Sequence, residues 1–340
     1  MRVWYNRTFS SIYNAMTLIR QYDSAGRYHL VYSAGSKTVA AHAAHQFELE
    51  PPVSGNDYLE WCLEFCQRWD IGIFVPHREA ALVSGARERF AAIGTRVLAV
   101  ASPEVLALLH DKAQFYATVE LPIAAPPETV PFTTLAEFDA GHAALRAKYP
   151  KLCVKPSKSV YGLGFAELDE ERSSAQILMA GDQYQIGLKD LRAGLAGLEK
   201  FRTMLLMEFL EGLEYSVDCV ADDGRLVCAV PRRKLAKEGT GQVIDPQPVI
   251  LDAVARLAAA YCLNGVFNVQ FRESGGQMRL LEINPRMSGG VGMACMAGPA
   301  LPYLALAGFD RGYGQLEIPA VRAGVRVGEW SHAIELEGMQ

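Results

Sequence analysis

Apolar and polar residues follow two different periods along the first hundred residues. Short apolar runs predict strands, whereas apolar residues three or four positions apart predict helices. The predicted strands are residues 3–5, 29–32, 71–75 and 97–100, and the predicted helices are residues 12–20 and 58–68. Because strands that alternate with helices form parallel sheets covered by helices, this region predicts a small α/β domain.

The pattern changes in the middle of the chain. Ser102 and Pro103 predict a sharp helix start, and residues 121–131, with four prolines, predict a linker. Strands are then predicted at residues 152–155, 165–168, 204–209, 215–221, 225–230, 266–271 and 278–283, and helices at 188–201 and 250–262. Asp222-Asp223-Gly224 predicts a tight turn between two of these strands. Hairpins of this kind predict mixed α+β structure after the linker.

Composition narrows the class of protein. The 340 residues suggest about two domains, and 50% hydrophobic residues supply enough apolar material for sizeable cores. A net charge of −5 disfavours nucleic acid and anionic membranes as partners. Residues 287–309 carry no charge and are long enough to span a bilayer, but their five glycines and two prolines predict a buried or ligand-facing loop. Seven scattered cysteines and no signal peptide predict a cytoplasmic protein.

Two common nucleotide signatures are missing from the sequence. No G-x-x-x-x-G-K-[ST] segment occurs, and no G-x-G-x-x-G segment follows the first predicted strand. The second absence disfavours a nicotinamide dehydrogenase built on the amino-terminal sheet. His42 and His45 lack a third neighbouring ligand for a metal site.

The predicted hairpin near residue 280 carries the most informative polar pattern. Alternate residues of a strand share a face, so Asn268 and Gln270 form one set, and Glu282 and Asn284 form another. If the strands pair in register, the oxygens of Gln270, Glu282 and Asn284 converge, as Mg²⁺ requires when phosphates complete its shell. Arg286 follows directly and could hold a phosphate. An ordinary amphipathic hairpin with a solvated polar face is the alternative.

Three further segments suit a nucleotide. Lys155 ends an apolar strand and precedes the small-residue loop 156–164, which could close over phosphates or form an ordinary exposed turn. The strand that stops at Glu208 could offer backbone groups to a planar base, and Glu214 could then bind the ribose. The alternative is a core strand followed by an acidic turn. The basic run 232–237 predicts a solvated loop, with anion binding as the alternative.

Taken in order, these segments resemble the ATP-grasp superfamily, above all the carbamoyl phosphate synthetase large-subunit halves and biotin carboxylase. The likeness spans about residues 100–300 and rests on Asp111-Lys112, Lys155 with 157–164, Glu208, Gly212 and Glu214, and Gln270 with Glu282-Ile283-Asn284-Pro285-Arg286. It implies an α/β ATP-grasp fold preceded by a small Rossmann-like sheet domain. The implied division is a first domain at 1–110, an ATP-grasp subdomain with the phosphate-loop lid at 111–207, and a metal-bearing subdomain at 208–340.

The resemblance also implies a role for each matching residue. Nucleotide contacts would come from Lys112, Lys155, Ser157, Gly162, Gly164, Glu208, Phe209, Leu210 and Glu214. Metal ligands would be Gln270, Glu282 and Asn284. Catalytic contacts to the acyl phosphate or the transferred phosphoryl group would come from Arg286, Arg233 and Lys237. The implied cofactors are ATP and Mg²⁺, with Mn²⁺ as an alternative metal.

The implied activity is that of an ATP-dependent ligase, which activates a carboxylate as an acyl phosphate and joins it to an amine. The alternative is a catalytically inactive ATP-binding regulatory protein of the same fold. Partners would be small-molecule carboxylates and amines, without nucleic acid or membrane, and a homodimer is compatible. Only one module is present, and Met287-Ser288-Gly289-Gly290 resembles stand-alone ligases. Candidate acceptor contacts lie at 7–11, 77–79 and 287–293.

Overall fold

The computed structural model describes residues 1–7, 11–159, 162–235 and 241–330. Two compact units are present, and each is assembled from separate stretches of chain. Unit 1 combines Met1–Ala107, Leu213–Phe271 and the chain from Glu282 to Trp330, the last described residue, and unit 2 combines Leu108–Gly212 and Arg272–Leu281. The division into three parts that the resemblance implies stays a prediction.

The first sheet of unit 1 is parallel between all neighbours, as the alternation predicts. Its strands are β1 (Arg2–Tyr5), β2 (His29–Ala34), β3 (Gln46–Leu49), β4 (Ile71–Val75) and β5 (Arg96–Val97), in the order β3-β2-β1-β4-β5. The helices that accompany it are α1 (Ile12–Tyr22), α2 (Gly55–Arg68), α3 (Ala80–Gly85) and α4 (Arg87–Ala92). The strand predicted at 97–100 ends at Val97, although the Leu98 amide still donates to the Phe74 carbonyl of β4 at 2.9 Å. The carbonyl of Val100 accepts from the Asn264 amide instead.

Unit 2 contains a five-stranded sheet with helices. Its strands are β6 (Thr129–Phe132), β7 (Leu152–Pro156), β8 (Ala166–Asp169), β9 (Gln185–Gly187) and β10 (Met204–Glu208), in the order β6-β10-β7-β8-β9. Helix α5 (Pro103–His110) leads into it, and α6 (Lys112–Thr118), α7 (Leu135–Arg146), α8 (Ser174–Ala180) and α9 (Leu188–Ala196) follow. The predicted helix 188–201 is too long, because Gly197 ends α9 and the Phe201 amide bonds the Thr133 carbonyl. The predicted linker 121–131 holds a short 3₁₀ turn, Pro122–Ala124, and the start of β6.

The second sheet of unit 1 is built from long hairpins. Its strands are β11 (Glu214–Asp222), β12 (Arg225–Lys234), β13 (Gln242–Ile244), β14 (Gly265–Ser274), β15 (Gln277–Asn284) and β16 (Arg326–Val327), in the order β15-β14-β11-β12-β13-β16. The predicted turn at Asp223-Gly224 joins β11 to β12, and both residues have the positive φ that such a turn requires. The tip of the β14–β15 hairpin, Arg272–Leu281, groups with unit 2.

Two predictions about loops are wrong. The basic residues 232–234 lie in β12, because this strand continues to Lys234 and pairs with β13. Residues 287–309 are not one loop, because they contain α11 (Val291–Cys295) and most of α12 (Leu301–Arg311). These helices follow α10 (Pro248–Ala260) in the chain. The glycines and prolines stand mainly at helix ends, and the apolar residues between them, such as Val291 and Leu301, fill the unit 1 core. Among the described residues, no helix combines the length and apolar character needed to cross a bilayer.

Candidate active site

The first two predicted nucleotide motifs contact each other in unit 2. Asp111 caps α6 by accepting from the Ala113 amide at 3.2 Å, and the Ser157 hydroxyl donates to the same carboxylate. The Lys112 amide donates to the Ser157 carbonyl at 3.1 Å, and Lys112 Nζ donates to the Ser159 carbonyl at 3.2 Å. Residues more than forty positions apart are thereby joined, and a buried lysine lies beside a small hydroxyl.

The charge state of Asp111 follows from these contacts. Burial is the largest single influence and acts to raise its pKa. Hydrogen bonds from Ser157 and the Gln114 amide, together with the cation of Lys158 at 3.4 Å, outweigh it and lower the pKa of Asp111. The carboxylate therefore stays ionised and holds the start of α6 against the loop.

Lys155 lies near the end of β7, where the apolar strand gives way to the glycine-containing loop. Its Nζ donates to the Tyr116 hydroxyl at 2.9 Å and lies 5.0 Å from the centre of that ring. In the loop, Gly164 has a φ of +80°, and a Cβ there would approach Pro156 to 2.9 Å. Only glycine fits this close left-handed turn. Gly162 also has positive φ.

The end of β10 holds an ion pair in which Glu208 is buried and Arg279 is partly buried. Glu208 Oε2 accepts from Arg279 Nη2 at 2.9 Å, and the same guanidinium reaches the carbonyls of Ala125 and Pro126 at 3.0 Å. The amide of Phe209 donates to the Lys151 carbonyl, and Leu210 is buried. Arg279 was missed by the sequence reasoning. Its signal is a charged residue in an otherwise apolar stretch of the second hairpin strand.

The predicted residues on β11 and β12 pair with opposite charges in unit 1. Glu214 accepts from Lys234 Nζ at 2.5 Å, and Arg233 Nε donates to Asp245 at 2.8 Å. Both pairs are partly exposed, so the cations are held but accessible. Lys237 lies outside the described residues.

Gln270 belongs to β14, and Glu282 and Asn284 belong to the neighbouring strand β15. All three are partly exposed, and Asn284 Nδ2 donates to Glu282 Oε1 at 2.8 Å. Phe267, Val269 and Phe271 are buried, as the strand alternation predicts.

Asn268 differs from the prediction that grouped it with Gln270 on a polar face. Its side chain is fully buried and donates to Ser216, the Val217 carbonyl and Asp218 at 3.0–3.1 Å. The Asn268 amide is thus held by polar groups of β11. Of the two residues predicted to share a polar face, only Gln270 is accessible.

The donor chemistry of this strand pair fits a hard cation. Within the described ranges, no group of three or more His, Cys, Asp or Glu side chains is placed to hold a metal ion. One carboxylate and two amide oxygens are hard ligands of the kind that Mg²⁺ accepts when phosphates and water supply the remainder.

Arg286 lies directly after β15. Its amide donates to the Asn284 carbonyl at 2.7 Å, and Nη1 donates to the Met287 carbonyl at 3.3 Å. Burial and then the charge of Arg286 lower the pKa of His77 to about 4. His77 is therefore neutral near pH 7, and the cation of Arg286 acts on it within the same unit.

A buried network that sequence reasoning missed fixes the loop after Arg286. Arg232 is 1% exposed and donates to Asp218 at 2.8 and 3.0 Å, to Ser216 at 3.2 Å, to Ser288 at 2.9 Å and to Gln242. A Cβ on Gly290 would lie 2.5 Å from Arg232 Nη1. The hairpin register contained a signal for this network, because it places Arg232 opposite Ser216.

Comparison with known proteins identifies the family that this chain resembles. Residues 200–333 match the family model described as "ATP-grasp in the biosynthetic pathway with Ter operon". Mouse carnosine synthase 1 is 39% identical over 105 residues, which cover 27% of this chain and 13% of that protein. The carbamoyl phosphate synthase large chain of Methanosarcina mazei is 25% identical over 192 residues, which cover 55% of this chain and 17% of that protein.

A solved structure supports the fold over nearly the whole chain. The biotin carboxylase domain of the 2-oxoglutarate carboxylase from Hydrogenobacter thermophilus superimposes with a TM-score of 0.62 and 12% identity, covering 96% of this chain and 73% of that one. That domain was solved as a dimer with MgADP, ADP and bicarbonate. The chain therefore has the ATP-grasp fold, and the predicted resemblance to ATP-grasp enzymes of the ligase type is confirmed.

Proposed function

We propose that this chain is an ATP-dependent ligase that activates a carboxylate as an acyl phosphate and joins it to an amine, releasing ADP and phosphate. The observation that carries the proposal is the contact between the Asp111-Lys112 helix start and the loop at Ser157–Ser159. It gathers a cation, a hydroxyl and backbone groups of the kind that hold phosphate oxygens. The Glu282–Asn284 pair and Arg286 add the residues for the reacting end of ATP.

The proposed reaction has two steps. A carboxylate oxygen attacks the γ-phosphorus of ATP, the bond to the β-phosphate oxygen breaks, and an acyl phosphate and ADP result. The amine nitrogen then attacks the carbonyl carbon, loses a proton, and expels phosphate. Positioning and charge neutralisation supply most of the catalysis in phosphoryl transfer.

The proposal gives the predicted residues of each unit a role. In unit 2, Lys112, Lys155 and Ser157 bind phosphates, and loop 156–164 with Gly162 and Gly164 excludes water. Because Arg279 occupies the Glu208 carboxylate, and the Glu208 and Phe209 amides already donate to carbonyls, the remaining backbone groups of 209–210 are the ones that would bind adenine. In unit 1, Glu214 binds the ribose, Arg233 contacts the transferred phosphoryl group and Arg286 steadies the acyl phosphate.

Gln270, Glu282 and Asn284 would hold Mg²⁺, or Mn²⁺ in its place, through their oxygens. The bound cation would neutralise the negative charge of the ATP phosphates. The Glu282–Asn284 hydrogen bond keeps the carboxylate oriented before any cation arrives.

The comparisons support small-molecule ligation without naming the substrates. The segment that is 39% identical to carnosine synthase supports ligation, although it spans only 13% of the length of that protein. The dimer of the biotin carboxylase domain makes a homodimer a reasonable state to test by light scattering.

The test is an ADP-release screen of the full chain with Mg-ATP, pooled carboxylates and pooled amines. We expect release that requires both pools and that falls at least about 100-fold in Glu282→Gln, because a coordinating carboxylate is lost. Asp252→Asn is the matched control, since this carboxylate lies on α10 and pairs only with an exposed Arg256 in the described structure. ATP binding without ADP release from any pool would instead support the inactive regulatory protein.

A further inference from the structure

A small cavity lies in unit 1 at the carboxyl ends of β1, β4 and β5. Its volume is about 30 Å³, and its walls include Tyr5, His77, Leu98, Val266, Met287 and Leu306. The carboxyl ends of parallel strands are where α/β sheets bind their ligands. The cavity is therefore in the expected place for a substrate group, and it lies outside the nucleotide and metal residues described above.

The turn that carries His77 is rigidly built. Asn6 Oδ1 accepts from the backbone amides of His77 at 2.6 Å and Arg78 at 3.1 Å. The Arg78 guanidinium donates to Glu50 at 2.8 Å and lies 4.1 Å from the centre of the Tyr58 ring. Glu79 completes the turn with a φ of +54°. These contacts hold the backbone of the turn from which the imidazole extends.

The imidazole itself has an unmet hydrogen-bonding capacity. His77 Nε2 is buried and has no hydrogen-bond partner among the described residues. A buried polar atom without a partner costs free energy unless a water or ligand satisfies it. No lining residue of the cavity is an acid, a lysine or an arginine, and Arg286, whose charge acts on His77, does not line it. A charged group would lack an ion-pair partner in the lining, so the group that enters should be uncharged.

The cavity also links two segments that the sequence offered as separate acceptor contacts. His77 begins the segment 77–79 and Met287 begins the segment 287–293, and both line this one space. Met287 directly follows Arg286, which binds the acyl phosphate in the proposed mechanism. A group in the cavity would thus contact the residue that directly follows Arg286 in the sequence, and Arg286 would bind the reacting end of the substrate.

We propose that the cavity receives a short uncharged substituent of the substrate, apolar except for one atom that hydrogen-bonds His77 Nε2. The identification of that molecule as the carboxylate or amine substrate rests on the proposed function. The space accommodates about two water molecules or a group of two or three heavy atoms. Substrates with short neutral side groups are thereby favoured over those with acidic, basic or aromatic ones.

The first test needs no turnover. The full chain with ¹³C-labelled histidine is titrated with acetamide and with acetate, which have the same shape and differ in charge, and His77 is assigned from the His77→Gln spectrum. We expect acetamide to shift the His77 signals saturably and acetate to leave them unchanged. Equal shifts with both would show that the site does not discriminate against charge, and no shift with either would show that the cavity holds water only. Either outcome would overturn the proposal.

The second test uses the substrate found by the ADP-release screen. Leu306→Ala enlarges the cavity and should move the preference toward substrates one or two methylenes longer by about tenfold in kcat/KM. Leu304→Ala is the matched control, because Leu304 is equally buried on the same helix but does not line the cavity. Equal preferences in both variants would overturn the proposal. If no ADP is released at all, the proposed function fails, while the acetamide titration still decides the cavity.

Discussion

The two faces of strand β12 treat neighbouring arginines in opposite ways. Arg232 lies on the buried face of the sheet, where its side chain is 2% exposed and the Asp218 side chain is fully buried. Arg233 points to the other face, where the pair with Asp245 is 27% and 21% exposed. Both ion pairs have a shortest N–O distance of 2.8 Å. The ion-pair distance is therefore the same, and burial with the additional hydrogen bonds of Arg232 distinguishes the structural cation from the accessible one.

This difference matters because a buried ion pair and an exposed one have different energetics. Two charges removed from water depend on each other, and the loss of one partner leaves the other uncompensated. An exposed pair contributes little to stability and can exchange its partner for a ligand phosphate. We therefore expect Arg232 to hold the fold and Arg233 to serve the reaction.

The largest expected effect is on stability at the buried face. Arg232→Met leaves Asp218 buried without its partner and should lower the free energy of unfolding by about 3–5 kcal/mol. Urea denaturation followed by circular dichroism measures it. The double variant Arg232→Met/Asp218→Leu should recover most of the loss, because no unpaired charge remains. If Arg232→Met is as stable as the wild type, the proposed structural role of the buried face is contradicted.

The second effect is on activity at the exposed face. Arg233→Ala should reduce ADP release by about 100-fold, because a cation that meets the transferred phosphoryl group is lost. The free energy of unfolding should change by less than about 1 kcal/mol, since the pair is partly exposed. Parallel ADP-release and urea measurements check both. Full activity in this variant would mean that Arg233 is only a surface residue.

The third effect concerns the loop that Arg232 holds. Gly290→Ala places a Cβ 2.5 Å from the locked guanidinium and should cost about 1–3 kcal/mol, because the buried network cannot move away. Gly289→Ala is the matched control, since a Cβ there meets nothing within 4 Å. Thermal unfolding of the two variants compares them directly. Equal midpoints would show that Arg232 yields easily and that the network is loose.

The smallest expected effect is the pH dependence of stability that arises from His77, whose Nε2 is buried beside the parallel sheet. The pKa of His77 is lowered to about 4 in the folded chain. As the pH falls below about 6.5, His77 is therefore protonated in the unfolded chain but stays neutral in the folded chain. Stability should therefore fall as the pH decreases, by about 1 kcal/mol between pH 6.5 and 5.5. Subtracting the pH profile of His77→Gln isolates this contribution. Identical profiles would indicate that the imidazole is solvated.

The same contrast explains how far the sequence could predict the molecule. Periodicity predicted β1, β4 and the β11–β12 hairpin, because their apolar residues form uninterrupted local patterns. Residues 232–237 look like one basic loop in the sequence, because composition does not show that β12 continues and sends alternate side chains to opposite faces. The helices in 287–309 were missed because glycines and prolines lie mainly at the ends of these short elements and make the segment resemble a loop.

The sequence could indicate candidate residues that belong to short local motifs, but not residues that are brought together by distant contacts. Lys155 with its glycine loop and Glu282 with Asn284 are short motifs, and the structure places the members of each close together. Arg279 and Arg232 act on carboxylates 71 and 14 positions away. Only the pairing of strands brings these partners together, so one sequence without a register could not indicate them.

The most direct test of the proposed ligase follows oxygen from the substrate to phosphate. A carboxylate that supports ADP release is labelled with ¹⁸O at both carboxylate oxygens and incubated with ATP, Mg²⁺ and its amine, and the released phosphate is analysed by ³¹P NMR. An acyl phosphate intermediate predicts one ¹⁸O atom in each phosphate formed, because the attacking carboxylate oxygen leaves with it. Unlabelled phosphate, or the formation of AMP and pyrophosphate, would contradict the mechanism.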